Sequence, residues 1–272
     1  MTFERGVKLL GVVLALGVSC APIERPRAAT RPEATQTEVE ATQSQVAGTS
    51  PRAASGAGLS SLAVTGFLPA VLFTPEGDDE RPVVVAAHGA GGSPDWECAY
   101  WRRLTRERAF VLCLRGAAMG GDSFYFKNHF ALRDELAAAL TAARATAPRM
   151  ASRAGVYAGF SQGASMGSLV VASQAAQLPY VVLIEGFEQW NIALGRSFAR
   201  QGGKSVLFAC GTQQCATKAE KSEAALRQTT VRGRAKHAVG AGHTPVGPVE
   251  DAVAENLPWL LEGEALWQQL TK

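Results

Sequence analysis

Residues 154–172 read Ala-Gly-Val-Tyr-Ala-Gly-Phe-Ser-Gln-Gly-Ala-Ser-Met-Gly-Ser-Leu-Val-Val-Ala. A short apolar run ends at Gly159, and a stretch of small residues with helical character follows Ser161. The intervening Gly-x-Ser-x-Gly, set between strand and helix, has the form of a nucleophile elbow. The glycines have a steric reason. Ser161 sits on a turn too sharp for ordinary backbone angles, and Gly159 and Gly163 lack the Cβ that would keep strand and helix apart. Ala164 and Gly167 keep the next turns slim. The N–H of Gln162, at the helix N-terminus, points where an oxyanion would form. The competing reading is an ordinary turn in a Gly/Ser/Ala-rich chain.

Upstream, Ser61–Phe73 reads as two short antiparallel edge strands, and Pro82–Ala87 as a strand buried on both faces. That strand runs into His88-Gly89-Ala90-Gly91-Gly92. Ser93–Arg108 reads as a helix with Trp96, Tyr100, Trp101 and Leu104 on one side. Ala109–Leu114 is the next strand, Arg115–Asn128 a loop, and His129–Thr146 a helix whose Asp134 is a surface charge or cap. Downstream, Tyr180–Ile184, Ser205–Ala209 and Ala235–Val239 read as strands, and 216–226 and 248–270 as helices. Strands alternating with helices predict a parallel sheet and an α/β fold.

The sequence Gly159-Phe160-Ser161-Gln162-Gly163-Ala164, with His88-Gly89-Ala90-Gly91 before it, resembles the α/β-hydrolase superfamily. The likeness is greatest to its carboxylesterase, acyl-protein thioesterase and polyester-depolymerase branches and covers roughly residues 60–270. It implies a mostly parallel eight-stranded sheet with helices on both faces. It also implies hydrolysis of a carboxylic ester or thioester by a Ser–acid–His triad, with no metal or organic cofactor. The resemblance places the second oxyanion donor in the loop after the third strand, at Ala90 or else Gly89, with His88 as a positioning residue. The loop after residue 115 would offer Met119, Phe124 and Tyr125 to a substrate pocket or pack them beneath itself.

The same resemblance puts the general base at His243, because only His243 follows the serine and an acid in the superfamily's chain order. His88 precedes the nucleophile, His129 opens a helix and His237 lies in a strand. The acid departs from the thioesterase pattern, in which Gly-x-x-Asp follows the seventh strand; here that stretch is Gly211-Thr212-Gln213-Gln214. No Asp lies between Ser161 and His243, and the carboxylates there are Glu185, Glu188, Glu220 and Glu223. Glu185 ends a strand and is the first choice; Glu188 comes next, and a chain without an acid is the third possibility. That third case would be a catalytically impaired envelope binding protein; a serine peptidase is a further alternative.

The N-terminus and the cysteines bear on location. Arg5 and Lys8 precede an apolar run from Leu9 to Val18, too short to span a bilayer but suited to a secretory signal. It ends in Gly17-Val18-Ser19-Cys20, which resembles a bacterial lipobox, although Gly17 stands where Leu is usual. Residues 1–20 are thus read as a signal peptide ending in a lipidated (palmitate-bearing) Cys20, with plain secretion or a mis-assigned start as alternatives. Residues 21–58 lack large apolar side chains and read as a disordered linker; 59–272 form the domain. Cys20 aside, four cysteines remain, and in an oxidising compartment Cys98–Cys113 with Cys210–Cys215 is the most economical pairing, against buried free thiols. The expected location is the cell envelope, anchored through Cys20. The 272-residue chain is 47% hydrophobic with net charge +3, which suits a packed core and a monomer acting on a small or lipid-like ester, and argues against nucleic acid.

Overall fold

The computed structural model describes residues 58–271. The expected signal peptide, the expected lipidation at Cys20 and the expected linker up to residue 57 lie outside the described residues. Among the described residues no helix is long and apolar enough to cross a membrane.

The organising element is a sheet of eight strands: β1 (Gly58–Leu62), β2 (Ala70–Thr74), β3 (Val83–Ala87), β4 (Phe110–Leu114), β7 (Val156–Phe160), β8 (Tyr180–Ile184), β9 (Ser205–Cys210) and β10 (Arg232–His237). Their spatial order is β1-β2-β4-β3-β7-β8-β9-β10. β1 pairs antiparallel with β2 and β2 with β4; the other pairs are parallel. The β3 run Val-Val-Val-Ala-Ala is buried throughout because alternate side chains feed both faces. Val83, Val85 and Ala87 enter one core, and Val84 and Ala86 the other.

On the first face pack α2 (His129–Thr146), α3 (Gln162–Val170), α4 (Ile192–Arg200) and α5 (Gln213–Leu226). On the second pack α1 (Pro94–Leu104), α6 (Pro248–Leu260) and α7 (Ala265–Thr271). Side-chain caps start several of them: Ser93, Asn128, Asn191 and Thr212 each accept from a backbone N–H in the first turn. Each such cap offsets an orphan donor and is worth about 1 kcal/mol.

The structure departs from the sequence expectations in four places. The loop after β4 contains a hairpin, β5 (Ala117–Gly120) with β6 (Ser123–Tyr125), turned by Gly120 and Gly121 at positive φ. α4 was unread, because Gly195 interrupts its pattern; a Cβ there would meet Leu226 Cδ2 at 2.7 Å. The last strand lies three residues earlier than its apolar content suggests. Its register is set by pairing from Arg232 with Ser205 to His237 with Cys210, and Arg234 stacks 4.1 Å from the Trp259 ring. The closing helix is two helices, broken where Gly263 takes φ 81°.

Candidate active site

Ser161 lies between β7 and α3 at φ 49°, ψ −109°, a backbone region that ordinary residues avoid. The surroundings hold it there. The Ser161 N–H donates to Ile184 O at 2.9 Å. A Cβ at Gly159 would come within 2.6 Å of Ala164 N, and one at Gly163 would collide with the Ala87 carbonyl. The close approach therefore requires glycine on both sides of the serine.

Ser161 Oγ is 2.9 Å from His243 Nε2, and His243 Nδ1 is 3.2 Å from Glu185 Oε2. The three residues follow β7, β8 and β10 at one edge of the sheet. Glu185 directly follows β8 at φ 51° and is 4% exposed. Its carboxylate accepts from the N–H of Gly211, from Thr212 N at 2.8 Å and from Thr212 Oγ1 at 3.0 Å. These donors satisfy a buried charge that would otherwise be costly. Glu188 is exposed, Glu223 pairs with Arg227, and Gln214 lies in the first turn of α5. Of the carboxylates between Ser161 and His243, Glu185 is the one at the imidazole.

The peptide joining β9 to α5 is closed by a disulfide between Cys210 and Cys215. Glu185 and these two sulfurs lie within 4.8 Å of one another. The sulfurs are bonded to each other, so they offer no thiolate to a metal. The second disulfide joins Cys98 to Cys113.

The loop after β3 closes over the elbow. Gly163 N donates to His88 O at 3.1 Å, and an added Cβ at Gly89 would stand 3.0 Å from Ser161 Cβ. Gly91 and Gly92 spend their N–H groups within the scaffold, on Phe124 O and Gly89 O. Among the described residues neither the Gly89 nor the Ala90 N–H has a backbone acceptor, and Gln162, as the first residue of α3, has no intrahelical acceptor.

His88 is buried, with Nδ1 2.7 Å from Gly89 O and Nε2 3.0 Å from Arg115 O, and its ring stacks on Phe126. Burial lowers its pKa, against the pull of the two carbonyl oxygens that its ring nitrogens face, and the ring ties the loop to Arg115. Glu135 holds the other end: it accepts from Arg115 N and Gly116 N at 2.8 and 3.0 Å. Burial raises the pKa of that carboxyl, against the pull of the two N–H groups. Neither Glu135 nor Gln162 Oε1, which accepts from Phe126 N at 2.8 Å, was legible as a brace.

The expected pocket residues divide. Phe124 lies under the loop, with its N–H donating to Gly92 O at 2.9 Å and Arg115 over its ring. Met119 stands exposed on β5, and Tyr125 pairs across the hairpin. The cavity beside the elbow, about 380 Å³, is lined by other residues, among them Gly89, Trp96, Glu97, Phe160, Pro245 and Val246. His129 and His237 take no part in the Ser161–His243–Glu185 contacts and stand at the start of α2 and the end of β10.

Solved structures share this architecture. The Bacillus cereus carboxylesterase superposes with TM-score 0.55 at 18% identity, over 76% of this chain and 96% of that one. The Anabaena variabilis dienelactone hydrolase gives TM-score 0.56 at 16% identity, over 75% and 96%. The chain has the α/β-hydrolase fold. TT1662 of Thermus thermophilus matches similarly, with TM-score 0.56 at 17% identity, over 77% and 100%. No protein-family model matches the sequence, and none of the curated proteins does.

Proposed function

We propose that this protein is a serine hydrolase that cleaves carboxylic esters, or thioesters, through an acyl-enzyme on Ser161. The observation that carries the reading is the continuous Ser161–His243–Glu185 relay at 2.9 and 3.2 Å. Solved structures of the same fold that are named carboxylesterase and dienelactone hydrolase support it.

His243 Nε2 takes the Ser161 proton as Oγ attacks the carbonyl. Glu185 fixes the tautomer through Nδ1–H and stabilises the imidazolium. The N–H groups of Ala90 and Gln162 receive the oxyanion, each worth about 3–4 kcal/mol in the transition state. The imidazolium returns its proton to the leaving alcohol or thiol. Water, deprotonated by His243, then releases the acid and regenerates Ser161. We also propose export and a lipid anchor at Cys20; the two disulfides support an oxidising compartment.

The test is labelling with a fluorophosphonate probe, together with p-nitrophenyl ester hydrolysis. Wild type is labelled, and Ser161→Ala and His243→Ala are not. Glu185→Gln lowers kcat by about 10⁴-fold while remaining folded. Folded wild type that resists the probe would instead be a binding protein that kept the fold.

A further inference from the structure

We infer that the cavity beside Ser161 is a leaving-group subsite in which Glu97 recognises a hydroxyl on the alcohol part of the ester. The inference rests on the serine-esterase reading and names its substrate class: monoesters of a diol or polyol.

Glu97 lies in the first turn of α1 and lines the cavity, yet it is 1% exposed. Its Oε1 accepts from Trp101 Nε1 at 3.2 Å, and its Oε2 has no partner in the protein. A buried carboxyl oxygen left unpaired is costly, and folded proteins supply a partner for nearly all such atoms. No basic side chain among the described residues forms an ion pair with Glu97. Among the buried polar atoms without a partner in the described residues, Glu97 Oε2 is the one whose residue lines this cavity, so its missing partner is assigned to what enters there. Burial pushes the Glu97 carboxyl up to about 7. Near neutral pH much of it is a neutral acid that both donates and accepts, as a hydroxyl does.

The geometry also assigns the side of the scissile bond. The departing alcohol takes its proton from His243, so it leaves on the histidine side. Pro245 and Val246, which follow His243 closely in sequence, form one wall of this cavity, and Gly89 and Phe160 border the elbow. Trp96, 43% exposed, offers an apolar face to the carbon chain. An alkyl alcohol would fill the space and leave Oε2 unpaired; a hydroxyl-bearing alcohol satisfies it.

The test compares two nearly isosteric substrates, 2-hydroxyethyl butyrate and propyl butyrate. Wild type should favour the hydroxyl ester in kcat/KM by about tenfold. Glu97→Leu should reduce that ratio to about one, whereas Glu97→Gln, which keeps a donor and an acceptor at the same place, should retain a preference. A wild-type ratio near one, or a ratio unchanged in Glu97→Leu, overturns the subsite. A second readout avoids both turnover and the folding of Glu97→Leu: calorimetric affinity of Ser161→Ala for the two esters. The same preference is expected there, and equal affinities overturn the subsite. Absent fluorophosphonate labelling of wild type counts against the esterase reading alone, and intact labelling with equal ester ratios and affinities against the subsite alone.

Discussion

The two disulfides are the same bond put to different uses. Cys98–Cys113 ties α1 to β4 inside the second core, across a sequence separation of 15, with both cysteines fully buried. Cys210–Cys215 spans a separation of 5 and encloses Gly211 and Thr212, the two residues that donate to Glu185. The first fastens packing. The second fixes a turn of backbone in which two successive N–H groups, of Gly211 and Thr212, face one carboxylate. Sequence proximity suggested both pairings on equal terms, and only the position of Glu185 separates them.

That division of labour can be broken by experiment. Replacing Cys98 and Cys113 together with Ala should cost the most stability, about 3 kcal/mol by loop-closure entropy, measured by urea denaturation. The kcat of the folded fraction should stay within twofold; a proportionate fall in kcat would show that packing and catalysis are not separate here. Replacing Cys210 and Cys215 together should cost less stability, about 2 kcal/mol, yet slow ester hydrolysis roughly tenfold, because the enclosed peptide can then swing away from the acid. An unchanged kcat would reduce this bond to a second fastener. Thr212→Val sharpens the point at the smallest scale. It deletes the 3.0 Å bond from Oγ1 to Glu185 and the cap on Cys215 N while keeping the disulfide. A loss of about 1 kcal/mol in kcat/KM, roughly fivefold, is expected from steady-state kinetics.

Much of this was readable in the sequence, for identifiable reasons. The β3 run and the elbow announce themselves because burial on both faces and tight turns restrict residue choice severely. Glu185 was reachable because the chain offers few carboxylates between Ser161 and His243, although its three donors were not. The hairpin of β5 and β6 was hidden because its strands are four and three residues long, too short for alternation to show, and β5 is largely exposed. β10 was misplaced because it is an edge strand whose arginines pack along Trp259, and apolar content misleads there. Glu97 was passed over because charged residues on helices usually face water. One signal could have exposed it: Glu97 stands four residues before Trp101, on the face that α1 buries.

The position of β10 has a further consequence. It has a neighbour strand on one side only, and His243 hangs from the loop beyond it, whereas Ser161 and Glu185 follow interior strands. Edge elements open at lower free energy than the centre of a sheet. The imidazole can thus leave the serine while both cores stay closed. Loss of ester hydrolysis on heating is therefore expected at a lower temperature than loss of the helical circular-dichroism signal; coincident transitions would show that the six-residue β10 opens only with the whole sheet.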